Sequence, residues 1–323
     1  MTAEGLPLGS AAMRKFLIYS PTYTRKWGGI ISLHKLCHLI NELGGTAFIH
    51  PNYLDVVDAN FANIDAVVEY ARSQWSFVQN FDERGYVSSR FNTPVRHILN
   101  DGQYGDDWII VYPEITAGNP LGARNVVRWL MHIPGFHTGR INFGQNEYHI
   151  RFNGTFGEFH LPTCYLSQNY LMVMDYDFDL FNADGAPTQR SGSAYLIKKG
   201  FGKPMQHDLT DSIQIDNLEQ EEIARALKSV KTFYSYDTQS AYSQLAVLCG
   251  CDSVVIPDDG VSKTQCWNGE IPIGIAYGVE EIAQARESAH LVKPHLQEIK
   301  DSAVGYVLDF MKEADAFFDA KTG

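Results

Sequence analysis

Long hydrophobic runs are missing from this sequence of 323 residues. None approaches the roughly 18 to 20 consecutive apolar residues that a membrane-spanning helix requires. The start of the chain also lacks the charged and then apolar segment that is typical of a secretory signal. Together these absences predict a cytoplasmic protein.

Cysteine is scarce, and its spacing is uninformative. The chain has five cysteines, an odd number, and none of them forms a C-x-x-C pair. This pattern argues against a disulfide framework and predicts reduced thiols. The five residues are Cys37, Cys164, Cys249, Cys251 and Cys266.

Basic side chains are too few for a nucleic-acid-binding surface. The net charge is −12, whereas binding to a phosphate backbone requires clustered Lys and Arg. We therefore expect no nucleic-acid partner. The acidic excess is smaller in residues 13–185 than in the rest of the chain. The first half is thus the part expected to make any peripheral contact with the inner face of an anionic membrane.

The length and composition predict two globular domains. The chain is 45% hydrophobic and 20% charged, as globular proteins are, and it exceeds the usual size of one core. Residues 1–12 lack periodicity and precede Met13, so we interpret them as a vector remnant. We assign residues 13–185 to a first domain, 193–293 to a second, and 294–323 to C-terminal helices that pack on the first domain. The polar stretch 182–192 is the predicted linker.

Each half shows the alternating pattern of an α/β fold. In the first, residues 15–20 predict a strand, residues 30–43 an amphipathic helix ended by Gly44 and Gly45, and residues 46–50, 108–112, 125–130 and 170–175 further strands. In the second, strands are predicted at 194–198, 231–235 and 253–256, with helices at 219–229 and 240–248. The pattern predicts two Rossmann-like domains.

The segment 234–251 carries the most specific chemical signal. A predicted strand ends at Ser235, and Ser240 opens a predicted helix. Because helix N-termini present unpaired N–H groups and a partial positive charge, a diphosphate is expected there. The predicted binding residues are Tyr236, Asp237, Thr238, Gln239, Ser240 and Ala241.

This segment resembles the donor-binding region of the retaining superfamily of GT-B glycosyltransferases, in which a strand, an acidic residue, a small-residue turn, a helix and a C-G step follow one another. In that pattern two glutamates are separated by seven residues. Asp237 stands at the first position here, and Leu245 stands where the family's ribose-binding carboxylate would be. The looser resemblance to GT-B enzymes of bacterial polysaccharide synthesis runs from Met13 to the last helix and includes the GIAYG motif at 274–278.

The resemblance implies roles for further residues. Gly28 and Gly29 match the N-terminal glycine loop, where a missing Cβ lets substrate approach the backbone. Lys198 and Lys199 match the basic residues that contact the donor phosphates. Glu114 and His132 follow strands of the first half and are the predicted catalytic residues, with Arg128 as a supplementary anion contact.

Two other binding chemistries are set aside. A dinucleotide-dependent oxidoreductase would carry G-x-G-x-x-G after the first strand, and that motif is absent. The D-x-D run at Asp175, Asp177 and Asp179 resembles the metal site of GT-A glycosyltransferases. It precedes a second α/β repeat, however, so we interpret it as a solvated strand end. No metal ion and no cofactor are expected.

The resemblance implies a GT-B fold, with two domains facing a cleft and the C-terminal helix crossing back to the first. The implied reaction is metal-independent, retaining transfer of a hexose from a nucleotide diphosphate sugar to a glycan or lipid-linked acceptor in surface polysaccharide synthesis. If the reaction inverts, Glu114 is the expected general base. Two alternatives stay open, a sugar-nucleotide epimerase of the same fold and an inactive glycan-binding member.

Overall fold

The structure is a computed structural model that describes residues 13–52, 81–96, 104–154, 159–267 and 272–322. The predicted remnant at residues 1–12 lies outside the described residues. Two compact units are distinguished, one within Met1–Met174 and Ser302–Gly323 and the other within Asp175–Asp301. We call them unit 1 and unit 2 and treat each by itself.

Unit 1 contains a six-stranded sheet in the order β2-β1-β3-β4-β5-β6, with every neighbouring pair parallel. Near-continuous Val, Ile, Leu and aromatic runs form its central strands, as expected for a sheet covered on both faces. The elements are β1 (Lys15–Ser20), α1 (Gly28–Glu42), β2 (Ala47–Pro51), α2 (Glu83–Tyr86), β3 (Trp108–Pro113), β4 (Val126–Leu130), β5 (Tyr148–Arg151) and β6 (Tyr165–Tyr170).

Unit 2 contains a five-stranded sheet in the order β11-β10-β9-β7-β8, again parallel throughout. Two helices, α3 and α4, pack on one face of this sheet, and α6 packs on the other. The elements are β7 (Ser191–Leu196), β8 (Ser212–Gln214), α3 (Gln220–Ser229), β9 (Val230–Ser235), α4 (Tyr242–Leu248), β10 (Asp252–Val255), α5 (Lys263–Cys266), β11 (Ile275–Tyr277) and α6 (Ile282–Ser288).

The last helix, α7 (Val292–Thr322), begins in unit 2 and continues into unit 1. Its apolar residues recur at three- and four-residue spacing, so they form one stripe. From Ala303 to Phe318 this stripe is buried in the same core as Phe16 and Ile109 of the sheet. Glu313 accepts hydrogen bonds from Tyr165 Oη (2.9 Å) and Asn169 Nδ2 (2.9 Å) on the edge strand β6. The part of the helix from Ser302 onward therefore belongs to the fold of unit 1.

The sequence-based prediction of a mixed α/β fold with two Rossmann-like sheets is confirmed. The strand predicted at residues 170–175 is wrong, because β6 ends at Tyr170. Beyond that point the carbonyl of Leu171 accepts a hydrogen bond from the Trp129 indole (3.1 Å). Leu171 and Val173 are nevertheless fully buried, which explains why the apolar run was predicted as a strand.

The division between the units falls at Met174 and Asp175, upstream of the predicted linker. Residues 182–192 lie within unit 2 and are attached to its helices. Asn182 accepts a hydrogen bond from Lys228 Nζ (3.1 Å), and Arg190 donates one to the carbonyl of Cys249 (2.8 Å). The polar, Gly- and Pro-containing composition of this stretch is that of a surface loop anchored by side-chain hydrogen bonds.

Candidate functional site

The strand order of each sheet creates one position that favours ligand binding. In unit 2 the chain leaves β7 toward β8 on one side and leaves β9 toward β10 on the other. Connections that depart in opposite directions leave a crevice outside the carboxyl ends of the two strands. In unit 1 the equivalent position lies between β1 and β3. Every predicted site residue except His132 and Arg128 follows one of these four strands.

Lys198 and Lys199 lie in a single 3-10 turn directly after β7. We call residues 197–200 the lysine turn. Lys198 has φ of +35°, a left-handed conformation that costs a side-chain-bearing residue about 1–2 kcal/mol. Asp216 holds this conformation, since its carboxylate accepts from the backbone N–H of Ile197 (3.1 Å) and of Lys198 (2.8 Å). A backbone held in a costly conformation is frequent at functional sites.

The ammonium group of Lys198 sits in a mixed environment. Its Nζ lies 4.8 Å from the ring centroid of Tyr242, the first residue of α4. Desolvation by the atoms around it lowers the pKa of Lys198, while the carboxylates of Asp237 and Asp216 act in the opposite direction. Lys199 is exposed beside it. The turn therefore presents two cations at the carboxyl end of β7.

Gly200 brings the lysine turn against the loop that follows β9. A Cβ atom at Gly200 would overlap with the backbone carbonyl of Tyr236. The backbone N–H of Tyr236 also donates to the carbonyl of Leu196 (2.8 Å). The two strand ends that define the crevice of unit 2 are thus in direct backbone contact, and only glycine permits it.

The loop after β9, residues 236–241, is organised by Asp237. This residue is 5% exposed, and its carboxylate accepts from the backbone N–H of Gln239 (3.1 Å). Its own carbonyl accepts from the N–H of Ser240 (3.3 Å). Helix α4 begins at Tyr242, two residues later than predicted, with Ala241 as its N-cap. The backbone amides of Gln239 and Ser240, two of the six predicted binding residues, are therefore already donors within the loop.

Tyr236 and Thr238 are used within unit 2. The Tyr236 hydroxyl accepts from the backbone N–H of Gln206 and contacts His207 Nδ1, both at 2.8 Å. These contacts fasten the crossover loop, residues 201–211, which joins β7 to β8 without an α-helix. Thr238 makes a side-chain hydrogen bond with Cys266 that helps to lower the pKa of that thiol, although burial raises it overall. The side chains of Tyr236 and Thr238, which were predicted to bind the donor, are therefore used in contacts within unit 2 that support the loop.

The predicted residues of unit 1 converge on Met131, directly after β4. Gly28 and Gly29 open α1, and a Cβ at Gly29 would lie 3.2 Å from Met131 Cε. Glu114 follows β3, is 8% exposed, and accepts from the N–H of Met131 (3.0 Å). His132 is the next residue, and its ring centroid lies 4.6 Å from that of Phe136. These four predicted residues therefore share one edge of the sheet.

Arg128 is not an anion contact, contrary to the sequence-based prediction. Its side chain is fully buried, and it donates to Glu147 Oε1 and Oε2 (2.8 and 3.0 Å) and to the carbonyls of Thr116 and Gly118 (both 2.8 Å). Burial raises the pKa of Glu147, but hydrogen bonds from His149 and Arg128 outweigh it and lower that pKa to about 2. This ion pair fixes the loops after β3 and before β5.

The D-x-D residues are part of the chain segment that enters unit 2. Asp175 lies 3.5 Å from Lys300 Nζ, and Asp177 accepts from the backbone N–H of Leu180 (3.1 Å). Within the described part of the chain, no group of three or more His, Cys, Asp or Glu side chains is arranged to hold a metal ion.

Sequence reasoning missed Asp216, Gly200 and the Arg128–Glu147 pair. Asp216 follows a three-residue strand that was not predicted, and Glu147 lies in an aromatic and polar stretch without clear periodicity. Gly200 could have been found, because a glycine directly after a lysine pair at a strand end indicates close backbone approach.

Taken as a class, the chain is an α/β protein with two parallel, Rossmann-like sheets. No protein-family model matches it, and no curated protein matches it significantly. In the ranges that the structure describes, no helix has both the length and the apolar character needed to cross a bilayer.

Proposed function

We propose that this chain is a glycosyltransferase of the GT-B type, which transfers a sugar from a nucleotide diphosphate sugar to a glycan or lipid-linked acceptor. The observation that carries the proposal is the lysine turn at the β7/β9 crevice of unit 2. The turn combines two cations with a backbone in an energetically costly conformation, and it lies at the position where open parallel sheets bind ligands.

The chemistry of glycosyl transfer explains what the lysines do. When the glycosidic bond to the nucleotide breaks, the leaving diphosphate gains negative charge. Cations placed in advance stabilise that charge without reorganisation during the reaction. Lys198, packed over Tyr242, is held for this role, and Lys199 adds a second charge-assisted contact. A metal ion is not required in this scheme, because the turn supplies the positive charge.

Unit 1 is proposed to bind the acceptor and to carry the catalytic residues. The backbone at Gly28 is open to a substrate, since a Cβ there would meet no atom within 4 Å, whereas Gly29 lies against Met131. Glu114 and His132 lie on the same edge and are the proposed catalytic residues. In the retaining reaction His132 contacts the donor sugar, whereas Glu114 is the general base if the reaction inverts. The GT-B arrangement, in which the two edges face a common cleft, is part of the proposal.

Ribose recognition must differ from that of the superfamily. Leu245 occupies the position of the second glutamate, and its side chain packs against the apolar core of unit 2. An aliphatic side chain in a core cannot accept hydrogen bonds from ribose hydroxyls. This departure also favours a second candidate, an inactive member that binds nucleotide or glycan without turnover.

The test is nucleotide binding followed by transfer. A thermal-shift panel of UDP, GDP, CMP and dTDP sugars identifies the donor, because a ligand of the native state raises its melting temperature. Calorimetry with that donor should then show Lys198→Ala and Lys199→Ala each weakening affinity by about 1.5–3 kcal/mol. The matched control is Lys231→Ala, an exposed lysine at the opposite end of β9, which should bind as the wild type does.

The outcomes separate the alternatives. Turnover with an added acceptor supports the glycosyltransferase, and conversion of the donor alone indicates an epimerase. Binding without turnover on any acceptor indicates the inactive member. If no nucleotide sugar binds, or if Lys231→Ala weakens binding as much as Lys198→Ala, the assignment of the crevice is wrong.

A further inference from the structure

The crossover loop of unit 2 stands where a parallel sheet usually has a helix. Helices α3 and α4 pack on one face of this sheet, and α6 packs on the other, over β10 and β11. On that second face Tyr195 of β7 and Tyr234 of β9 are register partners. Both are only half-buried. The part of the sheet that they occupy is therefore covered by the crossover loop.

The side chain of His207 attaches the crossover loop to these tyrosines. Its ring is stacked on that of Tyr234, with centroids 4.5 Å apart and planes at 15°, and its centroid lies 5.0 Å from that of Tyr195. All residues of the loop are exposed except Lys203 and His207. Lys203 fastens the start of the loop, because its Nζ donates to the carbonyl of the residue after β10 (3.0 Å). His207 is thus the anchor of the rest.

The hydrogen bonds of His207 assign its neutral form. The Tyr236 side chain is 1% exposed, and its hydroxyl accepts from the N–H of Gln206 and lies 2.8 Å from His207 Nδ1. A buried hydroxyl proton requires an acceptor, and Nδ1 is one when it carries no proton. Nε2 then carries the proton and donates to Ser212 Oγ (3.0 Å). Both ring nitrogens and the hydroxyl are satisfied in this form.

Protonation of His207 disrupts this arrangement. In the imidazolium both ring nitrogens are donors, so Nδ1 no longer accepts from the Tyr236 hydroxyl. The hydroxyl proton loses its acceptor in a buried place, which is costly. The neutral ring is therefore the form that fits the closed loop.

The charges around the ring act in the same sense overall. The groups that face it from β7, β9 and the β9 loop are the tyrosines named above, which are uncharged near neutral pH, and β8 supplies a serine hydroxyl. Burial lowers the pKa of His207, and the exposed carboxylate of Asp208 opposes this effect without reversing it.

We propose that His207 is a pH-sensitive latch, which holds the crossover loop on the sheet when its ring is neutral and releases the loop when the ring is protonated. In the released loop the ring is hydrated and has the ordinary histidine pKa of about 6.5. Protons therefore bind the released loop more tightly, and release increases as the pH falls below that value. Release uncovers Tyr195 and Tyr234. The proposal does not depend on the sugar-nucleotide assignment.

The experiment is amide hydrogen exchange of the full chain between about pH 7.5 and 5, the range in which histidine titrates. The reporter is the N–H of Gln206, which donates to the Tyr236 hydroxyl. After correction for the intrinsic exchange rate, its protection should fall with pH, by at most about tenfold per pH unit because one proton is taken up. Amides of β9 should keep their protection.

Two variants separate His207 from other titrating groups. His207→Gln removes the titrating ring, so the protection of the Gln206 amide should no longer depend on pH. The matched control His290→Gln alters an exposed histidine of unit 2 and should show the wild-type fall. NMR titration of the wild type should also give His207 a pKa below the ordinary value, and this measurement stands even if His207→Gln does not fold.

The proposal is overturned by any of four results. The first is a Gln206 amide whose protection is independent of pH in the wild type, and the second is a wild-type fall in His207→Gln. The third is a His207 pKa at or above about 6.5. The fourth is a parallel loss of protection in β9, since acid would then unfold unit 2 as a whole instead of releasing the loop.

Discussion

The two sheets hold charged side chains in different ways. In unit 1 Arg128, within β4, and Glu147, directly before β5, form an ion pair that is buried and bonded to backbone carbonyls. In unit 2 the cations of the lysine turn are at the surface, and the carboxylate of Asp216 binds backbone amides beside them. The same strand order therefore carries a structural ion pair in one unit and accessible positive charge in the other.

This difference teaches where an anionic ligand can bind. A guanidinium that is fully buried and bonded to Glu147 and to two carbonyls is out of reach of a ligand, whereas ammonium groups at the surface can be reached by a phosphate. The edge of unit 1 is instead apolar at its surface, with Trp27 and Phe136 exposed. This difference agrees with the proposed function, in which unit 2 binds the charged nucleotide diphosphate sugar and unit 1 binds the less charged acceptor.

The largest test of this comparison removes the ion pair of unit 1. Glu147→Gln leaves the Arg128 charge buried without its counter-ion, so the free energy of unfolding of unit 1 should fall by about 3–5 kcal/mol. Urea unfolding, with amide hydrogen exchange in β4 and β5 as the local readout, measures the loss. The pair Arg128→Met with Glu147→Leu removes both charges and should recover most of it.

The acid dependence of this pair sharpens the same test. Because the folded-state pKa of Glu147 is depressed to about 2, its contribution to stability is complete above the unfolded value of about 4.3 and is lost as the pH falls toward 2. The double variant should lack this dependence. If Glu147→Gln costs less than about 1 kcal/mol, the range of a surface pair, the network does not support unit 1.

The second prediction concerns a neutral histidine buried in unit 1. His34 contacts the carbonyl of Pro21 through Nε2 (3.0 Å), and burial lowers its pKa to about 4. A depressed histidine pKa means that the unfolded chain takes up the proton first. Stability should therefore fall by up to about 3 kcal/mol as the pH drops from about 6.5 to 4.

The measurement is urea unfolding of unit 1 across that pH range, compared between wild type and His34→Gln. The variant should show a flatter dependence, whatever its stability at neutral pH. The control His290→Gln alters an exposed histidine of unit 2 and should keep the wild-type slope. Equal slopes for wild type and His34→Gln would show that the proton uptake occurs elsewhere.

Much of the fold was predictable from the sequence because its cause is local. The α/β class is indicated directly by the apolar runs of β1 and β3 and by the spacing of apolar residues in α1. The strand-end positions of Lys198 and Glu114 followed from the same pattern. Whether GT-B describes the chain remains a prediction, since strand order alone does not distinguish it.

The rest depended on contacts between distant residues. Arg128 and Glu147 are separated by a long loop, so no local pattern marks them as a pair. Asp216, which binds the backbone of Lys198, lies in the segment after another strand, β8. Helix α4 starts two residues later than predicted. The reason is that Asp237 accepts a hydrogen bond from the amide of Gln239 and keeps the residues before the helix in a turn. Aspartate competes for backbone groups in this way, so helix starts next to it are poorly predicted.

The third and smallest prediction addresses the lysine turn of unit 2. Gly200→Ala would force a methyl group into the backbone carbonyl of Tyr236. Overpacking of this kind costs about 1–3 kcal/mol, and it must separate the turn from the β9 loop. We expect lower stability of unit 2 and, because Lys198 and Lys199 move, weaker binding of the nucleotide diphosphate by calorimetry.

Gly202→Ala is the matched control for this prediction. Gly202 has φ of +92°, and a Cβ there would meet no atom within 4 Å. Its replacement therefore costs about 1 kcal/mol of backbone strain without displacing the turn, and nucleotide affinity should be kept. If both variants lose stability but Gly200→Ala binds nucleotide normally, close contact between the two strand ends matters only for folding. The contrast between a structural ion pair in unit 1 and a proposed ligand-binding turn in unit 2 would then fail.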